Sequence, residues 1–246
     1  KRKIRELIFS NQSDSYVAPD MTILAEHITE GGISGFAYQQ EPDSIAWTVR
    51  NDGVLACMTY RREEQVVAWH RHIIGGAFGS GNAVVESVAT IPGDLDEDEV
   101  YIIVKRTIGG ATKRYVERMR NFDFGTSVSD AFFVDSGLTY SGSAATTISG
   151  LDHLEGQTVS VLADGSIHPD VTVSSGSITL QRSATKAHIG LPFTSRVETL
   201  RIDQGSALGS AQGKVKRISE VTVRLFRSVG LKVGTSTSEL DIVPFR

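Results

Sequence analysis

Cysteine and proline are scarce in this chain of 246 residues, which contains one cysteine and six prolines. The single cysteine, Cys57, excludes an internal disulfide framework, and its setting in "VLACMTY" predicts a buried apolar side chain rather than a reactive thiol. Folding in a reducing cytosol is therefore the simplest expectation. Because the chain also has 24 glycines, it should contain many tight hairpin turns rather than disordered linkers.

Long apolar runs and an excess of positive charge are also missing. No run approaches the roughly 20 apolar residues that a membrane-spanning helix needs, so we predict no membrane span. The formal net charge of −4 disfavours a protein that grips nucleic-acid phosphates, because nonspecific affinity for nucleic acids depends on clustered lysine and arginine. A weakly acidic surface is nevertheless compatible with nucleic acid that slides past it.

An internal repeat between Ile33 and Met119 is the most informative feature that is present. The run "IAWTVR" aligns with "VYIIVKRTI" at an offset of 55 residues, close to the length of a four-stranded unit in blade-like β repeats. The aligned pairs are Ile45 and Val100, Trp47 and Ile102, and Val49 and Val104. We predict four strands in the first unit and at least three in the second.

Glycine-containing turns predict how the strands of each unit pair. Asp52-Gly53 indicates a tight hairpin between strands 45–50 and 54–60, and "TIGGAT" indicates another between strands 100–108 and 113–119. Both pairs are therefore expected to be antiparallel.

The segment before the repeat predicts a short helix near residues 20–29. Asp20 is a suitable N-cap, and Ile23, Leu24 and Ile28 have helical spacing. The glycine pair that follows is a typical helix stop.

The C-terminal half predicts two further β regions. Val159, Val161 and Ala163 alternate before an Asp-Gly turn, which favours a small antiparallel sandwich or barrel over residues 130–205. The segment "GKVKRISEVTVRLFRSVGLKVG" (residues 213–234), which alternates at Val221, Val223 and Leu225, predicts a long strand with one polar face.

The predicted fold is mainly β, with antiparallel, blade-like (propeller-type) repeats, a small β-sandwich or barrel and one short helix. We divide the chain into helix plus blade-like repeats (1–125), the small sandwich or barrel (126–205) and C-terminal strands (206–246). The last strands could return to the first domain.

His70 and His72 are the strongest candidates for chemistry. Their i, i+2 spacing on a strand places both imidazoles on one face, where a third ligand could complete a metal site. No third ligand stands close by in the sequence, so we favour an edge-strand pair that packs beside Trp69. We assign no catalytic, cofactor-binding or metal-binding residue and predict that the chain is not an enzyme.

Two loop motifs resemble known sites only in part. Asp94, Asp96 and Asp98 have the spacing with which calcium loops begin, but Glu99 and Lys105 stand where an EF-hand needs glycine and glutamate. We therefore expect a solvated acidic turn. The run "GGAFGSG" lacks the lysine and hydroxyl residue of a phosphate-binding loop, so we expect a flexible loop that joins two blades.

The remaining histidines and the basic C-terminal residues give no clear signature. His153, His168, His188 and Ser195 show neither a nucleophile elbow nor an acid partner. A basic stretch could contact protein or DNA, although a solvated strand face is the simpler interpretation. Its residues are Lys214, Lys216, Arg217, Arg224 and Arg227.

Several segments resemble the tail nozzle protein, or tail tubular protein B, of short-tailed bacteriophages. They run in order from about Ser13 to Arg227. The segments are "SDSYVAPDMTILAEHI", "AYQQEPDSIAWTVRNDGVLACMTYRREEQVVAWHRH", "VESVATIPG", "DEVYIIVKRTIGG", "RYVERM", "DSGLTYSG", "LDHLEGQTVSVLADG" and "IGLPFTSRVETL".

The resemblance implies a structural virion protein located in the phage tail and made in the cytoplasm of the bacterial host. Proteins of this family form a homohexameric ring, stack on a tail adaptor and conduct double-stranded DNA during ejection. They carry a β-propeller with inserted β domains and no known catalytic residues. Because two units cannot close a propeller of 4 to 8 blades, we expect a fragment of a longer subunit or a reduced homologue.

Two alternatives remain open at this point. The first is a carbohydrate-binding or host-surface adhesion module, in which exposed aromatic side chains form a platform. The candidate platform residues are Tyr38, Trp47, Tyr60 and Trp69. The second is a metal hydrolase that uses His70 and His72.

Overall fold

The computed structural model describes residues 1–93, 97–201, 203, 209–211, 213–226, 228 and 230–244. The protein is mainly β, as predicted, and forms several small antiparallel sheets, none of which is closed. The chain divides into two compact units, residues 1–195 and 196–246. Among the described residues, no helix has the length and apolar character needed to span a membrane.

The first part of the chain forms a hairpin followed by a four-stranded sheet with strand order β3-β4-β5-β6. The strands are β1 (Ile8–Ser10), β2 (Ser15–Val17), β3 (Ile33–Gln39), β4 (Ile45–Arg50), β5 (Leu55–Arg61) and β6 (Val66–His72). The predicted hairpin is confirmed, because β4 and β5 are antiparallel and joined at Gly53, whose φ of 81° suits glycine.

The second unit of the repeat forms a three-stranded sheet with strand order β11-β10-β9. The strands that follow β6 are β7 (Ala77–Phe78), β8 (Gly81–Asn82), β9 (Val84–Pro92), β10 (Asp98–Ile108) and β11 (Ala111–Arg118). The predicted antiparallel pairing across Gly109-Gly110 is confirmed. The predicted strand numbers are also confirmed, with four strands in the first sheet and three in the second.

One hydrophobic core, which we call the shared core, joins these two sheets. Its buried residues are Trp47, Val49, Leu55, Cys57, Ile74, Ala83, Val85, Val88, Val100, Ile102 and Val104. On β10 every second residue from Val100 to Ile108 is buried, as expected for a strand with one inward face. The two aligned segments of the internal repeat therefore contribute to one core. Whether they are blades of a propeller stays a prediction.

The prediction of an N-terminal helix is wrong. The segment forms consecutive turns, in which the amides of Ala25 and Ile28 each bond to the carbonyl three residues earlier. The buried positions Thr22, Ala25 and Ile28 are accordingly three residues apart. Ile23 and Leu24, on which the helix prediction depended, are 69% and 92% exposed.

Residues 135–191 form a third sheet with strand order β12-β15-β13-β14. Its strands are β12 (Asp135–Ser149), β13 (Thr158–Ala163), β14 (Ser166–Thr172) and β15 (Ser177–Leu191). The predicted inward face of Val159, Val161 and Ala163 is confirmed. The sandwich or barrel is replaced by one open sheet, because the two long strands β12 and β15 pair with each other over most of their length, with irregular register.

Unit 196–246 contains a hairpin of β16 (Leu231–Ser236) and β17 (Glu239–Val243). The long strand predicted within residues 213–234 is wrong over the alternating run, since residues 214–226 form no strand and, among the described residues, a strand begins only at Leu231. Val221, Val223 and Leu225 are between 42% and 55% exposed. Alternation in sequence produces a strand only where another strand supplies its hydrogen bonds.

We predict that Ile189→Ala lowers the free energy of unfolding by about 2–5 kcal/mol, because it leaves a cavity in the core of the third sheet. Ile189 is fully buried there. The matched control Ile167→Ala shortens a side chain that is 72% exposed and should cost less than about 1 kcal/mol. Urea denaturation followed by circular dichroism measures both, and equal losses would contradict this core assignment.

Candidate functional site

The hairpin of β5 and β6 gathers three potential metal ligands on one face. Its register pairs Cys57 with His70 and Leu55 with His72. Since directly paired residues share a face and alternate residues along a strand share it too, Cys57, His70 and His72 all lie on the side of the shared core. The position is the rim of that core, because β6 is an edge strand of its sheet.

The three side chains are close enough to hold a single ion. One ligand atom from each lies within 4.8 Å of the other two. Cys57 Sγ is 2.8 Å from His70 Nε2, in hydrogen-bonding contact. The rings of His70 and His72 are 5.0 Å apart. Cys57 is buried, His72 is half-buried and His70 is exposed.

The removal of these groups from water favours the neutral form of each of the three side chains. It raises the pKa of the Cys57 thiol and lowers the pKa of His70, because a less polar surrounding disfavours the charged form of each group. The pKa of His72 is lowered to about 4, first by burial and then by the neighbouring His70. A nucleophilic cysteine needs a stabilised thiolate. The raised pKa of Cys57 disfavours the thiolate, so its surroundings do not activate it as a nucleophile.

Among the described residues, His72 Nε2 is the one buried polar side-chain atom that has no hydrogen-bond partner. Its ring packs on Trp47, with centroids 5.4 Å apart. The predicted packing beside Trp69 is therefore wrong, because adjacent residues of a strand point to opposite faces. Trp69 instead donates from Nε1 to the Met21 carbonyl, at 2.9 Å.

Cys57 is the residue that sequence reasoning missed as a possible ligand. The absence of a third ligand near His70 in the sequence favoured a packing role for the histidine pair. The signal was available in the hairpin register, because a strand pair brings residues that are 13 positions apart into direct contact. The interpretation of His70 and His72 as a packing pair therefore did not include the Cys57 thiol, which the hairpin brings next to His70.

The four aromatic residues proposed as a glycan platform do not form one surface. Trp47 is buried in the shared core, where its Nε1 donates to Gln39 Oε1 at 3.0 Å. Trp69 lies on the opposite face of the sheet and packs against Ala56, Ala25 and Ile28.

The other candidate histidines hold backbone groups in place. His153 Nε2 donates to the Ser136 carbonyl at 2.9 Å, and His188 Nε2 donates to the Ser129 carbonyl at 2.9 Å. His168 accepts from the Gln181 amide at 2.9 Å. These three side chains therefore have structural partners at separate places in the fold.

The glycine-rich segment "GGAFGSG" contains the small β7–β8 hairpin and connects β6 with β9. Gly75 donates its amide to Asp135 Oδ2 at 2.6 Å and accepts from Arg106 Nε at 2.8 Å. A Cβ on Gly75 would lie only 2.8 Å from the Pro192 carbonyl oxygen. Close packing of backbone, rather than phosphate binding, accounts for glycine at this position.

The acidic turn and the basic stretch fall partly outside the described residues. Asp94, Asp96 and Arg227 are among those not described. Asp98 begins β10, and its Oδ2 accepts from the Gln40 amide at 2.6 Å. The remaining basic residues, Lys214, Lys216, Arg217 and Arg224, are exposed in the irregular segment before β16.

Comparison with known proteins assigns no family to the chain. No protein-family model matches it, and no curated protein matches its sequence.

The half-buried side chain of Asp135 predicts a pH dependence of stability. Burial raises the pKa of Asp135, so the unfolded chain loses this proton at a lower pH than the folded protein does. The contribution of Asp135 to the free energy of unfolding is thus present below the ordinary aspartate pKa and lost as the pH rises through the raised value. Asp135→Asn keeps an acceptor for the Gly75 amide and should gain stability relative to the original protein across that interval.

Asp164 provides a matched control with the opposite sign. Bonds from the Lys186 amide and from the side chain and amide of Thr185 lower the pKa of Asp164. Its contribution is present above the ordinary aspartate pKa and lost as the pH falls through the lowered value. Asp164→Asn should therefore lose stability relative to the original protein as the pH rises. Urea titrations at a series of acidic pH values measure both differences, and parallel curves for the two variants would contradict the prediction.

Proposed function

We propose that this chain is a structural subunit of an oligomeric assembly, and specifically a nozzle-like component of a bacteriophage tail. The observation that carries the proposal is the segment 214–226. It exposes alternating apolar residues but forms no strand among the described residues. Addition of a peptide segment as a strand at the sheet edge of another chain is a common mode of recognition, and we propose that this segment pairs in that way.

Exposed apolar side chains on edge strands also support assembly. Phe36 and Tyr38 on the edge strand β3 are 56% and 44% exposed. Val116 on the edge strand β11 is 71% exposed. Exposed sheet edges are templates for pairing with further chains. We therefore propose that neighbouring copies of the subunit cover these edges in a closed ring.

The resemblance of the ordered segments between Ser13 and Arg227 to tail nozzle proteins supplies the specific assignment. It supports a homohexameric ring in the virion tail that contacts a tail adaptor and conducts double-stranded DNA during ejection. The blade-like arrangement of the two N-terminal sheets belongs to the same proposal. The net charge of −4 suits a conduit, because a lumen that conducts DNA should not hold phosphates tightly.

The direct test is to determine the mass and location of the protein that contains this chain. Native mass spectrometry of the full-length protein should give six copies, and electron microscopy should show rings. An antibody raised against this chain should label the tails of virions. A monomer in solution together with unlabelled tails would contradict the proposal.

The role of the exposed segment is tested by a pair of lysine substitutions. Val223→Lys places a charge among its apolar residues and should reduce the oligomeric fraction at least tenfold, because a buried unpaired charge is costly. Thr222→Lys adds the same charge at the neighbouring residue, which belongs to the polar side of the alternating run, and should leave the oligomer intact. Mass photometry at several concentrations measures both. Equal effects of the two substitutions would contradict strand-like docking of this segment.

A further inference from the structure

The cluster of Cys57, His70 and His72 has a chemistry that the proposed assembly role does not use. A thiol and two imidazoles converge on one point at the rim of the shared core, with ligand atoms within 4.8 Å of one another. In a tetrahedral zinc site, metal–ligand bonds of about 2.0–2.3 Å separate the ligand atoms by about 3–4 Å. Small side-chain rotations are therefore sufficient to bring all three donors onto one ion.

The unpartnered nitrogen of His72 is an independent indication of a missing ligand. A buried polar atom without a hydrogen bond is costly, and nearly all such atoms in folded proteins have a partner. His72 Nε2 is buried and has none. A bound cation would satisfy this nitrogen, and it would also replace the proton that Cys57 and His70 share at 2.8 Å.

The donor set selects the class of metal. Sulfur and imidazole nitrogen favour zinc and other late transition metals, whereas magnesium and calcium require oxygen donors. The cluster contains no carboxylate. Three protein ligands leave a fourth coordination position, and the exposure of His70 places that position on the side of the solvent.

We infer that Cys57, His70 and His72 form a binding site for Zn²⁺, with one thiolate and two neutral imidazoles as ligands and a fourth position for water. On binding, the Cys57 thiol gives its proton to the solvent and its sulfur bonds to the metal. The site ties edge strand β6 to β5 at the rim of the shared core. It does not depend on the tail assignment, since it is built within one hairpin.

The first test is metal binding by the purified protein after removal of bound metal with a chelator. Titration with Zn²⁺ against a competing indicator should give one site per chain. Cobalt substitution should give a thiolate-to-metal charge-transfer band and the strong visible bands of a four-coordinate ion. X-ray absorption of the zinc protein should show one sulfur at about 2.3 Å and nitrogen ligands at about 2.0–2.1 Å.

Matched variants identify the ligands. Cys57→Ser should abolish the charge-transfer band. His70→Gln and His72→Gln should each weaken zinc binding by more than about 10-fold, because even the loss of a residue that only supports a ligand costs about 10- to 100-fold. His27→Gln, at an exposed histidine elsewhere in the chain, should have no effect. Zinc should raise the melting temperature of the original protein and of His27→Gln only.

Three outcomes would overturn the inference. The first is the absence of stoichiometric zinc binding by the folded, reduced protein. The second is a zinc spectrum with no sulfur ligand. The third is undiminished binding by His70→Gln, which alters an exposed side chain and should therefore fold even if Cys57→Ser does not. Any of these would leave the cluster as a thiol–imidazole packing contact.

Discussion

The two N-terminal sheets each have one apolar face, and the burial of these faces against each other is the constraint on which the rest of this region depends. Full burial of one large aliphatic side chain contributes about 1.5–3 kcal/mol, and most residues of the shared core are of this kind. Exposing either apolar face to water would forfeit this stabilisation. The internal repeat is therefore best understood as two sheets that require each other.

The shared core also determines where polar groups have to be satisfied. Arg106 is fully buried at an inward position of β10, but it pairs with Glu117 and donates to the Gly75 carbonyl. His72, by contrast, has a buried nitrogen without any hydrogen-bond partner among the described residues. Because buried polar groups are normally satisfied, the contrast between these two residues distinguishes a structural ion pair from a candidate ligand site.

The sequence predicted the local pairing of strands well, because alternation and glycine turns are local signals. Gly53 and Gly109-Gly110 specified both hairpins of the repeat, and the inward face around Val161 was read correctly. The N-terminal helix failed because two of the apolar residues that indicated a buried helical face, Ile23 and Leu24, are exposed, whereas consecutive turns bury Ala25 and Ile28. Cys57 was missed as a possible third ligand because it is distant from His70 in the sequence and adjacent to it only across a strand pair.

The segment 214–226 shows a different limit of sequence reasoning. Its alternation is genuine, but a strand exists only where a neighbouring backbone supplies hydrogen bonds. No pattern within one chain specifies whether that neighbour lies in the same chain or in another. The resemblance to tail nozzle proteins supports our proposal that this neighbour belongs to another chain.

Native-state hydrogen exchange on a Val104→Ala variant tests the central claim, that two sheets share one core, most directly. If the core is shared, this change on β10 lowers the protection of the Trp47 and Val49 amides on β4 by as much as that of the Ile102 amide, because the two sheets open together. Reduced protection confined to β9–β11, with β4 and β5 unchanged, would contradict the account.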